Sequence, residues 1–509
     1  MGWGSNSMGI LRDFLRSVEG YVTALALIAM PLLLGFALLV IDVGRANNLH
    51  TDLQNATDSL ALAGARELDG GSNSITRAND ALAALVKNEA RFGNGGPAII
   101  DNTQVSAIYL DAIPPSDDTR IDAAWVTAHQ TTDGLKAVYL LVRSTPRAMT
   151  TLFPLPVGLT LQTLNIQAEA VAVYDASACD VTPLFICNPF EPVGGSGNNL
   201  TFQENFAQGA TYGRQLILSF SGNSSPQPGN FGWLEVAASG GNALRDALAT
   251  GKPGLCYGMR GLQTKTGGTI GPAEQGINTR FGVYAGAMKN NDPDTAPAYN
   301  VRRGEKDPTK TSSCSAYTEE TDRTKAMALP DWSLPGGTYS DQTLVGGGVL
   351  KGDKWDYSAY WTLNHPGASA PSTFPKPTDP TGSKTIPSRY DVYSYENKND
   401  LVTGAANKAP NGETGEGASN RCYKGSGTIS KTALDRRMVF AAVINCHQDL
   451  GNGHATITKP KAFVSLFLTK PMITNSTTKT LSAEIVDVSG YNGNGTLDTF
   501  LREESYLVR

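Results

Sequence analysis

The stretch Gly20–Ile41, GYVTALALIAMPLLLGFALLVI, carries no formal charge between Glu19 and Asp42. As a helix its 22 residues reach ~33 Å, just over the ~30 Å hydrocarbon thickness of a bilayer. Pro31 removes one backbone donor near the middle, which predicts a mild kink that a membrane helix tolerates. A cleavable signal peptide is the competing reading. Its apolar core should run to only ~7–15 residues and end in a small-x-small site. Here the run is longer and leads into Asp42-Val43-Gly44-Arg45, so a retained transmembrane helix at 20–41 is expected. Arg12 and Arg16 precede the span closely and only Arg45 follows it closely, which places residues 1–19 in the cytoplasm and the rest across the membrane. All six cysteines, Cys179, Cys187, Cys256, Cys314, Cys422 and Cys446, lie far beyond the span. An even number in an exported region suits disulfides, and no C-x-x-C metal spacing occurs.

Composition agrees with a once-anchored chain. Charged residues make up 17% of the 509, against ~25% in an ordinary soluble domain. A net charge of −5 without a basic block argues against nucleic acid as a partner, since phosphate contacts need clustered Lys and Arg. An apolar share of 40% excludes wholesale disorder, and a lone apolar run excludes a multi-span transporter.

Beyond the span, Leu49, Leu53, Ala56, Leu60 and Ala63 recur at steps of four and three, one helical stripe. The pattern continues until Asp69-Gly70-Gly71, which predicts a rod over 20–68 of ~73 Å. Ser74 is the expected cap of a second helix over 74–92, closed by Gly93 and Gly95-Gly96-Pro97. The two helices should pair antiparallel. From residue 100 the period becomes two. Strands are expected at Val105–Leu110, Leu135–Arg143 and Leu159–Tyr174, with a helical turn over Pro146–Leu152. Later strands are expected at Gln215–Phe220, Trp233–Ala237, Met438–Asn445, Ala462–Thr469 and Leu481–Val488, and one short helix at Asn242–Thr250. Residues 285–435, rich in Gly, Pro, Ser, Thr, Asn and Asp, read as long loops on a sheet scaffold. The fold class is α+β, organised as 1–19 cytoplasmic, 20–41 transmembrane, 42–98 a helical pair, 99–175 a small α+β unit, and 176–509 a β-rich, disulfide-containing region.

Asp42, Gly44 and Arg45, followed by Gln54-Asn55-Ala56-Thr57-Asp58-Ser59-Leu60-Ala61-Leu62-Ala63-Gly64-Ala65, carry a family likeness. This segment resembles the N-terminal domain of the TadE/TadG-like proteins of the bacterial tight-adherence (Flp pilus) assembly system. That pattern is a membrane helix, Asp-x-Gly-Arg, then Gln-x-Ala-x-Asp-x-x-Ala-x-Ala-Gly-Ala. It is matched at Asp42, Gly44, Arg45, Gln54, Ala56, Asp58, Ala61, Ala63, Gly64 and Ala65. Several later motifs look like the periplasmic region of the TadG-like branch. They are Cys179 to Pro189, Asn278-Thr279-Arg280-Phe281, Asn364-His365-Pro366, Ser388-Arg389-Tyr390-Asp391 and Asp435 to Cys446. The resemblance implies an inner-membrane, periplasm-facing accessory of pilus biogenesis without known catalysis.

Two family features are missing. The von Willebrand-type metal motif Asp-x-Ser-x-Ser is Asp175-Ala176-Ser177-Ala178-Cys179 here, and Pro183 soon follows, so a strand-end turn tied by a disulfide is the expectation. A pilin cleavage site needs Gly at the position held by Phe14, so no processing into a filament subunit is expected.

Other chemistry is thin. His50, His129, His365, His447 and His454 are scattered, and a disulfide at Cys446 would deny it to zinc. Lys265-Thr266-Gly267 matches one element of penicillin-recognising enzymes, but the Ser-x-x-Lys at Ser476-Thr477-Thr478-Lys479 falls in the wrong chain order. Asp487 to Asp498, with Asn492 and Asn494, could hold calcium, though an Asn-Gly turn between strands accounts for it. Trp355, Tyr357, Tyr360 and Trp361, and the alternating Tyr390, Tyr393 and Tyr395, suit packing on a sheet face better than a binding platform.

The expectation is a non-catalytic component of Tad/Flp pilus assembly with no cofactor and no metal. Its partners would be the membrane and pilin-like or pilus-assembly proteins, met through a helix face of Ala56, Leu60, Ala63 and Gly64. The alternatives are a tethered periplasmic hydrolase of envelope polymer and an anchored surface adhesin. Neighbour pairing, Cys179–Cys187, Cys256–Cys314 and Cys422–Cys446, is the preferred disulfide arrangement because short loops close at least entropic cost.

Overall fold

A computed structural model describes residues 18–509, apart from 86–87, 91–92, 97, 101, 154–161, 180, 193–199, 221–228, 259–260, 266–269, 307–313, 321–328, 330–354, 403–421, 427–428, 430, 432–434, 451–456, 459, 475–478, 491–492, 495–496 and 498–499. The chain divides into two compact units, Met1–Tyr174 with Glu504–Arg509, and Asp175–Glu503.

In the first unit, helix α1 (Val18–Ala65) runs 48 residues without a break at Pro31, ~72 Å at helical rise. It is long and apolar enough to cross a membrane. Its first half presents Leu27, Ile28 and Val40 at 70% exposure or more. Its second half buries the periodic stripe: Leu49, Leu53, Ala56 and Leu60 are inaccessible. Helix α2 (Ser74–Ala84) packs on α1, with Ala78 and Leu82 sharing a core with Leu60, Ala61 and Ala65. It ends well before residue 92, because Leu85 turns extended. Asn88–Ala90 (β1) then pairs antiparallel with Ala98–Ile100 (β2). Asn73, not Ser74, is the N-cap, and the Ser74 hydroxyl donates to the Gly134 carbonyl.

Strands β3 (Val105–Leu110), β4 (Tyr139–Ser144) and β7 (Glu169–Cys179) form an antiparallel sheet with β4 in the middle. A short helix, α3 (Ala123–His129), is capped by the Asp122 carboxylate. The turn expected over Pro146–Leu152 is a strand instead, β5 (Arg147–Thr150), paired antiparallel with β6 (Thr163–Ile166). Cross-strand bonds won there over a local turn. The last residues of the chain add to β7, where the Val508 amide donates to Val171 and the Val171 amide to Arg509.

The second unit is built on a closed sheet. Its strands are β8 (Leu184–Cys187), β9 (Gln215–Phe220), β10 (Asn230–Trp233), β13 (Met438–Ile444), β15 (Ala462–Leu468) and β17 (Lys479–Val488). They pair in the order β15-β13-β8-β10-β9-β17, and β17 returns to β15 and also pairs with the short β16 (Ile473–Thr474), while β12 (Leu262–Gln263) and β14 (Ile457–Thr458) pair apart from this sheet. Closure removes free strand edges. Successive residues face two different cores. Leu184 and Ile186 join Val439, Ala441 and Val443 on one side, while Phe185 and Cys187 join Phe440, Ala442 and Ile444 on the other. Burial on both faces explains why β13 reads as an unbroken apolar run and β15 as one interrupted only by Ser465. Helices α4 (Phe202–Ala207), α5 (Gly241–Thr250) and α6 (Ile270–Asn278) bring Phe202, Phe206, Leu244, Leu248, Ala273 and Ile277 to the first core. The strand expected at Trp233–Ala237 is shifted back to β10.

The segment expected to be loops holds two helices, α7 (Tyr357–Asn364) and α8 (Arg389–Lys398). The alternating tyrosines therefore lie on a helix and not on a strand. A capping box between Ser388 and Asp391 starts α8, a local signal that outweighs the period of two. Trp355, Tyr360, Trp361 and Tyr393 are buried together with Phe467, which bears out core packing for the aromatic cluster.

All six cysteines are paired, but not as neighbours. The bonds are Cys179–Cys256, Cys187–Cys446 and Cys314–Cys422. Strand register decides two of them. Cys179 faces Cys256 across the β7–β11 pairing, β11 being Cys256–Gly258, and Cys187 faces Ile444 on β13, two residues before Cys446. Closure entropy changes by only about 0.6 kcal/mol per doubling of loop length, too little to compete with register.

Candidate functional site

The motif residues of α1 split into two groups by what they touch. Asp42 is 4% exposed. One carboxylate oxygen pairs with Arg45 Nη1 at 3.0 Å, and the other accepts the Phe153 amide at 2.7 Å. Arg45 donates onward to the Thr150 carbonyl at 3.3 Å. One turn of helix thus clamps the end of β5 and the residues after it. Farther along, Gln54 Nε2 donates to Asp58 Oδ1 at 2.7 Å and to the Glu169 carbonyl at 3.1 Å, tying α1 to the start of β7. Ala56 packs with Leu49, Leu53, Met149 and Ala168, and Ala61 with Leu140 and Val142.

Gly64 overturns the expected docking face. A Cβ there would overlap Leu140 Cδ2 and touch Leu82 at 3.4 Å. The small residues Ala56, Ala61 and Gly64 admit the chain's own sheet and second helix, leaving no room on that face for another protein. Ala63 is half-buried. Gly44 differs from all of these: it is exposed, and a Cβ would meet nothing within 4 Å. The outward face it begins continues through the exposed Asn47, Asn48, Thr51, Asn55 and Ser59, polar and without charge.

In the second unit four of the later sequence motifs, those at Asn278, Asn364, Ser388 and Asp435, contribute to one buried polar network. Glu484 on β17 pairs with Arg389 Nη1 at 2.6 Å and accepts the amides of Arg389 and Tyr390, closing the start of α8. Asp391 accepts from Tyr212 Oη at 2.7 Å and Thr378 Oγ1 at 2.9 Å. Asp435 accepts from Tyr393 Oη at 2.7 Å. Burial pushes the carboxyls of Asp391, Asp435 and Glu484 above their ordinary values, against the hydrogen bonds that favour their charge. Arg437 donates to the carbonyls of Leu468 and Thr469 and lies over the rings of Phe281, Tyr393 and Phe467. Burial lowers the guanidinium pKa of both Arg437 and Arg280. Glu396, wholly buried, gathers His365 Nε2 at 2.7 Å, Tyr360 Oη at 3.0 Å and Arg302 Nη1 at 3.3 Å. These contacts satisfy buried charge and join helices to the sheet. Sequence reasoning did not foresee such meetings as Arg280 donating to the Arg436 carbonyl 156 residues away, because they depend on how the sheet closes.

The remaining candidates do not assemble. His129 pairs with Asp111 at 2.8 Å, the His447 amide is taken by Glu191, and Cys446 is spent in a disulfide. His454 lies outside the described residues. Among the described residues no three His, Cys, Asp or Glu are placed to hold a metal ion. Lys265 Nζ pairs with Glu235 at 2.9 Å, whereas Thr266, Gly267 and residues 476–478 lie outside the description. Asp487 Oδ1 accepts the amides of Val488 and Asn494, a turn-closing arrangement, and Asn492 and Asp498 are again outside. Asp175 to Cys179 continues β7 as strand and does not turn there; its Cys179 is disulfide-bonded and Asp180 lies outside the description.

No curated protein and no solved structure matches the chain. Residues 20–67 match a family model described as "Putative Flp pilus-assembly TadE/G-like". The matched segment is the long helix α1 and its clamps, so this chain carries a TadE/G-like Flp pilus-assembly segment at the point where the apolar span meets the first folded unit.

Proposed function

We propose that the chain is a single-pass, non-catalytic component of Flp-type pilus assembly in the bacterial inner membrane. Its N-terminus lies in the cytoplasm and its two folded units lie in the periplasm. The carrying observation is the TadE/G-like match over α1 together with Gly44, the motif glycine that has open space beside it. Asp42, Arg45 and Gln54, the last oriented by Asp58, brace the helix against its own domain, which leaves the Gly44 face to meet a pilin-like helix. Small residues near the bilayer surface are a recurring device for such close approach. Three disulfides and the charge asymmetry around the span support the periplasmic side.

The test is the Gly44→Leu variant in the native host. Its abundance and membrane retention should match the parent, and surface pili should be lost. Normal piliation with Gly44→Leu would remove the docking role. Pili lost together with the protein itself would show that the position serves folding instead. A periplasm-active reporter fused after Arg509 should be active if the orientation holds.

A further inference from the structure

The turn after β5 reaches the apolar span. The Phe153 ring lies 3.1 Å from where a Cβ on Gly35 would stand. Gly35 precedes Asp42 by seven residues, ~10 Å along the helix on its apolar side. The placement is held from outside by Asp42, which accepts the Phe153 amide at 2.7 Å, and by Arg45 on the Thr150 carbonyl. Backbone at membrane depth is tolerated only where its polar groups are paired, and those of Phe153 are. Its N–H goes to Asp42, and its carbonyl accepts from Thr151 Oγ1 at 3.1 Å. Thr151 and Gln162 are tied to each other through Thr151 N–H to Gln162 O at 2.8 Å and Gln162 N–H to Thr151 Oγ1 at 3.1 Å. Leu152 is 46% exposed. The sequence holds no formal charge between Arg147 and Glu169.

We infer that Leu152 and Phe153 form a second membrane contact, inserted among the acyl chains of the leaflet bordered by Asp42. The inference rests on Gly20–Ile41 spanning a bilayer. Lipid is the occupant because the surface is continuous with the lipid-facing side of α1, which the Phe153 ring meets at Gly35. The helix and these two residues together make a two-point contact, so the first unit cannot swivel freely about a single anchor. Asp42-x-Gly-Arg45 then acts as the rivet between them, which gives the Asp and Arg a role apart from any protein partner.

The test places single added cysteines, Leu152→Cys, Val40→Cys and Ser59→Cys, in the full chain within phosphatidylethanolamine–phosphatidylglycerol vesicles. The native cysteines are all in disulfides, so an environment-sensitive maleimide dye reports only the new site. Leu152 is half exposed and tolerates the change. Spin-labelled lipids should quench the dye at Leu152 and Val40 alike and leave Ser59 bright. Quenching at Val40 with Leu152 as bright as Ser59 overturns the second contact while the span stands. A bright Val40 overturns the span itself. A shielded Leu152 dye that resists lipid quenching only at high protein density assigns the surface to a second copy and overturns the lipid reading.

Discussion

Gly44 and Gly64 stand on one helix in opposite surroundings, and identical substitutions should separate them. At Gly44 a leucine meets open space and replaces the poorest ordinary helix former, a gain of up to about 1 kcal/mol. At Gly64 the same side chain must displace Leu140 and Leu82, and overpacking of this kind costs about 1–3 kcal/mol. Thermal unfolding of the full chain in detergent should therefore fall for Gly64→Leu and hold or rise for Gly44→Leu. A drop at Gly44 would mean that its face is packed after all. The ten motif positions on α1 were visible as a pattern of small and polar residues, yet the pattern could not say which neighbour each one serves. A small residue marks close approach, and whether the approaching element is foreign or the chain's own depends on where β4 lies.

At the scale of elements, disulfides and strand pairing support each other. Cys187–Cys446 joins the ends of two parallel strands 259 residues apart in sequence. Removing both cysteines should cost about 2–5 kcal/mol, read as a lowered unfolding midpoint. Non-reducing peptide mapping should recover peptides linking Cys179 to Cys256, Cys187 to Cys446 and Cys314 to Cys422. Free thiols throughout would contradict these bonds and the periplasmic placement together. Elements with strong local signals were legible: β3 and β9 have the expected limits, and α5, β13, β15 and β17 differ by a residue or two. Those that depend on a distant partner were not. Strand β8 hides in a Cys-Pro-rich motif and becomes a strand because β10 and β13 flank it.

Over the whole molecule, alkaline titration reads both folded units at once. Burial raises Tyr109 in the first unit and Tyr390 in the second from 10 to about 12, and nearby carboxylates Asp435 and Asp391 add to the shift at Tyr390. The folded state therefore holds these phenolic protons longer than the unfolded chain does. The stability they contribute is fully present below pH 10 and is lost as pH rises from there through about 12, by the linkage of proton binding to folding. Ultraviolet titration should show a delayed tyrosinate fraction that collapses to the ordinary value in denaturant. Full titration near the ordinary phenol pKa in the folded protein would mean that these side chains are not buried.

By itself the sequence determined the apolar span, the helix that continues it, the α+β class and the TadE/G-like segment. Each of these is written in local periodicity and charge, which act over a few turns or a few strand residues. Tertiary structure alone decided the disulfide partners, the helical state of the Tyr390 to Tyr395 segment, the closure of β17 on β15 and the occupation of the Gly64 face by Leu140. Those outcomes depend on which residues meet across hundreds of positions of chain, and the contact energy that selects them is absent until the sheet has closed.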